Sequence, residues 1–242
     1  MAIEAQYLAL LRRGIELARG DTKRGLRALL LAYPDLLVPR AALVRMFGEA
    51  LVAELPERDD AQATWAYHGL TGVADPLYET LALLRRLGVE PEVIDVARLR
   101  GMERIVDLNE ALPADLENAF DLVVDTGTCE HCFNVGRAFA NACVATCAGG
   151  LIVHAAPLNR VNHGFWGFSP TVYPDFFEAN GFDLVSMTGV AGSPAEGTRA
   201  FAVDPVARFA PPPDSAIYVL ARRREVRALR WPVQRKYRAM LG

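Results

Sequence analysis

Apolar and polar positions alternate along this chain at two different periods, and the change of period divides it. In residues 1–55 the apolar positions recur at helical spacing. Tyr7, Leu10, Leu11, Ile15 and Leu17-Ala18 form a stripe, with Arg12, Arg13, Glu16 and Arg19 opposite. Asp21 or Thr22 is placed to cap a second helix through Tyr33, which Pro34 stops, and Pro39 stands near the start of a third helix running to about Leu55. The polar run Pro56-Glu57-Arg58-Asp59-Asp60 then breaks the pattern.

Beyond it, short apolar runs alternate with helical ones. Thr64-Trp65-Ala66-Tyr67 reads as a strand and Asp75 to Leu87 as a helix ended by Gly88. Glu92–Asp95 and Arg104–Asp107 read as strands, 116–119 as a helical turn, and Phe120-Asp121-Leu122-Val123-Val124-Asp125 as a strongly apolar strand. A helix over 133–146, a strand from Leu151, a helix from Ser169-Pro170 to Asn180-Gly181, and strands at 183–187 and 215–220 complete the series. Such alternation predicts an α/β fold: a Rossmann-like, mainly parallel seven-stranded sheet with helices on both faces, closed by an antiparallel pair. The implied organisation is an N-terminal helical extension (1–60), the Rossmann-like domain (61–224) and a basic C-terminal tail packing on it (225–242).

Composition changes this picture little. The chain has 242 residues, half of them hydrophobic and 23% charged, with a net charge of −3. That balance gives no reason to expect a nucleic-acid partner. No apolar run reaches the roughly 18–20 residues of a membrane span, and the N-terminus lacks the pattern of a secretory signal, so a cytoplasmic protein without a membrane partner is expected. The basic residues from Arg222 to Arg238 read first as a solvated helix face and second as a phosphate patch. Four cysteines (Cys129, Cys132, Cys143, Cys147) have spacings a zinc site could use. Reduced cysteine also serves as a small core hydrophobe, and that reading is preferred, with no metal expected.

In an open parallel sheet, ligands bind outside the carboxyl ends of the strands. Asp95, ending a second strand, suits the hydroxyls of a ribose, and Asp107, ending a third, suits an exocyclic amine of adenine. Each suits a helix cap or loop salt bridge equally.

Several motifs then resemble class I S-adenosylmethionine-dependent methyltransferases over about 130 residues. They are the Phe120–Asp125 strand followed by Glu130-His131, the segment Ala148-Gly149-Gly150-Leu151-Ile152-Val153-His154, and Asn180-Gly181-Phe182 before a strand. More narrowly, Asp107-Leu108-Asn109, Cys129-Glu130-His131-Cys132-Phe133-Asn134 and His163-Gly164-Phe165-Trp166-Gly167-Phe168-Ser169-Pro170 resemble a bacterial subgroup of that family. The resemblance implies S-adenosylmethionine as cofactor, met by Gly69, Gly72, Asp95, Asp107, Leu108, Asp125 and Thr126. It departs at the glycine-rich loop, for which the chain offers only His68-Gly69-Leu70-Thr71-Gly72.

Methyl transfer to oxygen or nitrogen chiefly requires that a proton leave the acceptor, and imidazole titrates near neutrality. His163 is the expected base, with His131 second and Glu130 in support; His154, inside a strand, reads as a core residue. Asn162, Phe165, Trp166 and Tyr173 are expected to wall the substrate. The implied activity is methylation of a small molecule, a sugar or secondary-metabolite intermediate, by a monomer or homodimer. The alternatives are a non-methyl reaction on the same scaffold or an inactive binding module. A nicotinamide-dependent enzyme would need a fuller G-x-G-x-x-G after the first strand.

Overall fold

Leu26–Leu31 is an interior strand of the main sheet, and this placement organises everything before residue 60. The structure, a computed structural model, describes residues 1–20, 24–193, 197–238 and 240. Its main sheet has eight strands: β1 (Leu26–Leu31), β2 (Val89–Asp95), β3 (Arg104–Ile105), β4 (Phe120–Thr126), β5 (Thr146–Asn159), β6 (Phe182–Ser193), β7 (Gly197–Phe201) and β8 (Ser215–Arg223). Their spatial order is 3-2-1-4-5-8-6-7. Strands β1 to β5 run parallel, and β8 inserts antiparallel between β5 and β6. The expected closing antiparallel pair is therefore present. One strand more than expected is found, β7, paired antiparallel with β6 along the sheet edge.

The helix expected through Tyr33 is corrected to β1; its cap residues Asp21 and Thr22 lie outside the described residues. Leucine and alanine favour helix intrinsically, but this segment is hydrogen-bonded on both sides, pairing Leu29 with Glu92 of β2 and with Val123 of β4. A strand covered on both faces needs a continuous apolar run rather than alternation, which is why its pattern looks helical. The first sixty residues thus contribute to the sheet itself rather than forming an appended helical extension. The third helix is also broken: α2 (Arg40–Phe47) and a single turn (Glu49–Val52) meet at Gly48, which takes φ +87°. Thr64–Tyr67, expected as a strand, belongs to helix α3 (Ala61–Tyr67), whose Trp65 is buried against Leu37, Leu70 and Leu77.

Two helical layers cover the sheet. Helix α1 (Ala5–Arg19) lays Tyr7, Leu8, Leu11 and Ile15 against Leu30, Val124 and Val153, joined by α4 (Thr80–Arg86). On the opposite face α5 (Val135–Ala145) and α6 (Val172–Ala179) pack Phe139, Phe176 and Phe177 on Val123, Ile152 and Val219. Neighbours in sequence such as Val123 and Val124 go to opposite cores, as the pleat requires. The C-terminal basic residues do not make one helix face. Arg223 is a buried strand residue donating to Asn118 Oδ1 (2.7 Å), Trp231 packs near Phe176, and Arg235 and Arg238 pair with Glu178 on α6. Among the described residues no helix is long and apolar enough to cross a membrane.

The Tyr7 hydroxyl pins α1 to the sheet, meeting the carbonyl oxygens of Asp125 (3.0 Å) and Val153 (2.9 Å) with the ring fully buried. Tyr7→Phe removes the donor both carbonyls share and should cost about 1–2 kcal/mol in urea unfolding. An unchanged midpoint would show that the Tyr7 hydroxyl does not hold α1 to the sheet.

Candidate functional site

Strand order reverses direction at β1, with β2 on one side and β4 on the other, so the crevice for a ligand opens at the carboxyl ends of these two strands. What each strand presents there can be read residue by residue.

After β1 the chain runs Ala32-Tyr33-Pro34-Asp35 without glycine. Ala32 itself takes the left-handed conformation (φ +70°) in which glycine is at ease. Asp35 accepts from Arg58 (2.5 Å), Arg100 (2.8 Å) and His68 (2.9 Å), and the Arg100 guanidinium stands 4.4 Å over the Tyr33 ring. Burial would raise the Asp35 carboxyl, but His68 and the two arginines hold it below its ordinary value. Gly69 and Gly72, expected to form the cofactor loop, follow helix α3 instead of a strand. That expectation is corrected: the loop after the first strand is 32–38, and its contacts are side-chain ion pairs rather than a bare backbone cradle.

Two acids stand at the ends of β2 and β3. Asp95 is half-buried and takes only the Ala97 amide, at 3.3 Å. Asp107 is exposed and accepts from the backbone and side chain of Asn109, both at 2.8 Å, which lowers its carboxyl. Among the described residues neither acid is ion-paired. Leu108 is buried in the core, so its side chain is a packing group rather than a ligand contact. Asn109 also holds the first turn of α5, its Oδ1 accepting from the Asn134 amide (2.8 Å). The two motifs containing these asparagines therefore meet in space, a contact that neither segment signals alone.

After β4 lies the most tightly built part of the site. Asp125 is completely buried and its carboxylate is fully used: Oδ1 accepts from the amides of Gly127 (3.1 Å) and Thr128 (2.7 Å), Oδ2 from His154 Nδ1 (2.8 Å). The other nitrogen of His154 meets the Tyr173 hydroxyl at 3.1 Å. His154 is the core residue expected. Asp125 and Tyr173, expected to touch cofactor and substrate, have their side chains in this same buried chain of bonds, and Tyr173 is enclosed by Phe139, Phe168 and Phe177. Burial pushes the Asp125 carboxyl up, yet the paired His154, the Cys129 thiol and the Thr128 amide outweigh it and leave the carboxyl below the usual range.

This chain of bonds fixes the 3₁₀ turn Cys129–His131. Glu130 is buried beside His163, with 3.6 Å between Oε1 and the imidazole Nε2, while its Oε2 has no partner. The rings of His131 and His163 lie 5.4 Å apart. Thr126, also buried, presents an unpartnered Oγ1. These groups border a cleft of about 490 Å³ between the strand ends and the N-terminal residues, also lined by Glu4, His68, Arg160 and Tyr218. The structure thus brings together His163, His131, Glu130 and Thr126. It places Phe165 and Trp166 outside the cleft, exposed, with Phe165 5.7 Å from the Phe133 ring. Asn162 occupies the exposed turn before His163 at φ +63°.

Sequence reasoning missed Glu4 and Arg160. The Glu4 carboxyl is raised by burial, partly offset by the charge of Arg160, and nothing local in the sequence marks it. A larger cavity, about 760 Å³, lies between residues 167–175, 204–211 and the C-terminal tail. It holds none of the strand-end acids or histidines, so the smaller cleft is the chemical candidate. The cysteines do not assemble: Cys129 lies beside Asp125, whereas Cys147 reaches Asp121 at the other end of β4 (3.7 Å).

No protein-family model and no curated protein matches the chain. Solved structures similar to it include the YcgJ protein from Bacillus subtilis, with TM-score 0.46 and 9% identity over 91% of this chain and 99% of that one. The N-methyltransferase NodS from Bradyrhizobium japonicum WM9, in complex with S-adenosylhomocysteine, aligns with TM-score 0.46 and 12% identity, covering 90% and 88%. The Burkholderia thailandensis 1,6-didemethyltoxoflavin-N1-methyltransferase aligns with TM-score 0.43 and 12% identity, covering 93% and 92%. Likeness of this depth carries no argument about activity; the α/β fold rests on the strand order and register above.

Replacing His154 with leucine should strand the buried Asp125 charge and cost about 3–5 kcal/mol of stability. Because the Asp125 carboxyl is depressed in the folded state, its contribution is present above an unfolded value of about 3.9 and is lost as pH falls through the lower folded value. Denaturant unfolding of the native chain at pH 7 and pH 3 should show that loss, and His154→Leu should flatten it. A variant within about 1 kcal/mol of the native chain would contradict this role for the pair.

Proposed function

We propose that this chain is an S-adenosylmethionine-dependent methyltransferase acting on an oxygen or nitrogen of a small polar molecule. The observation that carries the reading is the division of labour across the switch point. Two acids without ion-pair partners, Asp95 and Asp107, stand at the ends of β2 and β3, and beyond β4 a cleft holds a buried carboxylate beside an imidazole. The acids fit a nucleoside: a half-buried carboxylate with spare acceptor sites suits ribose hydroxyls, and Asp107 suits an amine. The bound cofactor would supply an activated methyl group. The protein's own part is then positioning and proton removal. His163 takes the acceptor's proton, Glu130, 3.6 Å from its Nε2, steadies the resulting imidazolium, and Thr126, Glu4 and Arg160 orient the acceptor in the cleft. The polar lining supports a hydroxylated acceptor such as a sugar or a biosynthetic intermediate.

A second reading has its own observation. The loop after β1 lacks glycine, and Tyr33 and Asp35 are engaged by Arg58, Arg100 and His68. That arrangement favours a non-methyl reaction, or a binding module, on the same scaffold.

Calorimetric titration separates the two. S-adenosylmethionine and S-adenosylhomocysteine should bind one to one at micromolar concentration. Asp95→Ala should weaken both by about tenfold or more, as expected for loss of charge-assisted hydrogen bonds. Absence of binding to folded protein would reject the first reading, and an undiminished affinity in Asp95→Ala would reject the placement of the ribose.

A further inference from the structure

We infer that Glu130, His131 and His163 form a binding site for one divalent transition-metal ion, with zinc the best-matched member of that class. Three observations support it independently of the methyl-transfer reading. One carboxylate oxygen and one nitrogen from each imidazole all lie within 4.8 Å of one another. Two imidazoles and a carboxylate are a donor set that suits zinc, and three protein ligands leave a position open for a further oxygen. At ordinary zinc–ligand lengths such donors stand about 3.4 Å apart. Small rotations of the two exposed histidines close the difference, while Glu130 stays in place.

The second observation is the condition of Glu130. Its side chain is 1% exposed, its Oε2 has no hydrogen-bond partner among the described residues, and its Oε1 stands 3.6 Å from His163 Nε2, too far for a good hydrogen bond. Buried carboxylates are normally paired, hydrogen-bonded or metal-bound. A cation at the mouth of the cleft supplies a counter-charge for this buried carboxylate.

The third is the way the backbone makes room for this side chain. A Cβ on Gly127, at φ +103°, would stand 2.9 Å from Glu130 Oε1, and one on Gly164 would stand 2.8 Å from the Glu130 carbonyl oxygen and 2.9 Å from its Cγ. The Phe165 amide donates to the same carbonyl at 2.9 Å. Two glycines on separate loops therefore hold Glu130 in its buried position between them. The turn before Gly164 brings His163 to the rim beside it, and the 3₁₀ turn brings His131.

The open position faces a cleft that also contains Thr126 and Arg160. Its fourth ligand is an oxygen, from water or from a hydroxyl or carboxylate of a small molecule. With the ion bound, both histidines are neutral ligands, so the proton-accepting role given to His163 above belongs to the metal-free protein.

The test is calorimetric titration of the full chain with zinc after treatment with a chelator and its removal. One equivalent should bind at micromolar concentration or tighter. The double variant His131→Ala, His163→Ala alters only exposed rings and should bind at least about a hundredfold more weakly, beyond what loss of an outer-shell partner costs. Glu130→Gln should do the same if its circular dichroism remains native. His68→Ala and Cys132→Ala, whose side chains lie outside the donor set, should bind as the native chain does. Absence of binding, equal binding by the double-histidine variant, or loss of binding in Cys132→Ala would overturn the assignment. A parallel titration with S-adenosylhomocysteine reports on the methyl-transfer reading separately, since zinc binding requires no cofactor.

Discussion

The carboxylate of Asp125, fully buried, receives two backbone amides and an imidazole, and much of the candidate site hangs from these bonds. A charge at that depth is tolerated only because every acceptor position is met. Through His154 the pair reaches Tyr173 of α6 on one face of the sheet; through the carbonyls of Asp125 and Val153 it reaches Tyr7 of α1 on the other. The two helical layers are thereby tied to the same two strand ends. The amides of Gly127 and Thr128, committed to Asp125, set the turn that lifts Glu130 and His131 toward the cleft. The buried acid thus positions the site by shaping the backbone that carries the exposed groups.

A second polar cluster, around Asp35, does comparable work at the end of β1. Arg58, Arg100 and His68 come from three separate loops and converge on one carboxylate, with Tyr33 stacked beneath. A glycine-rich loop would present open backbone here; this chain presents charged side chains that satisfy one another. The two halves of the crevice consequently differ in character. The β2 and β3 side offers acids without ion-pair partners, and the β1 side offers a closed network.

How much of this was legible in the sequence depended on whether local pattern or distant contact decided each element. Phe120–Asp125 and the strand beginning at Leu151 could be read because β-branched residues, bounded by turn residues, leave few alternatives. Leu26–Leu31 could not: its leucines, alanine and arginine suit a helix, and only pairing with β2 and β4 makes them a strand. That one misreading displaced the first strand to 64–67 and took Gly69 and Gly72 for the loop after it, where the fold has Ala32. Asp125 and Tyr173 were marked by their place beside strand ends and helices, but spacing does not reveal that both side chains are buried in one chain of hydrogen bonds. Glu130, His131 and His163 were found because their motifs sit on the two loops that follow β4 and β5. The unpartnered oxygen of Glu130 and its seat between two glycines needed the folded chain.

In the proposed reaction a nucleoside cofactor and an acceptor meet at the carboxyl ends of β1, β2 and β4. A crystal structure of the protein soaked with S-adenosylhomocysteine should show ribose density at Asp95, adenine toward Asp107 and the sulfur facing Glu130 and His163. Density for the ligand in the larger cavity near Asp175, or a carboxyl edge unchanged at saturating ligand, would contradict this placement.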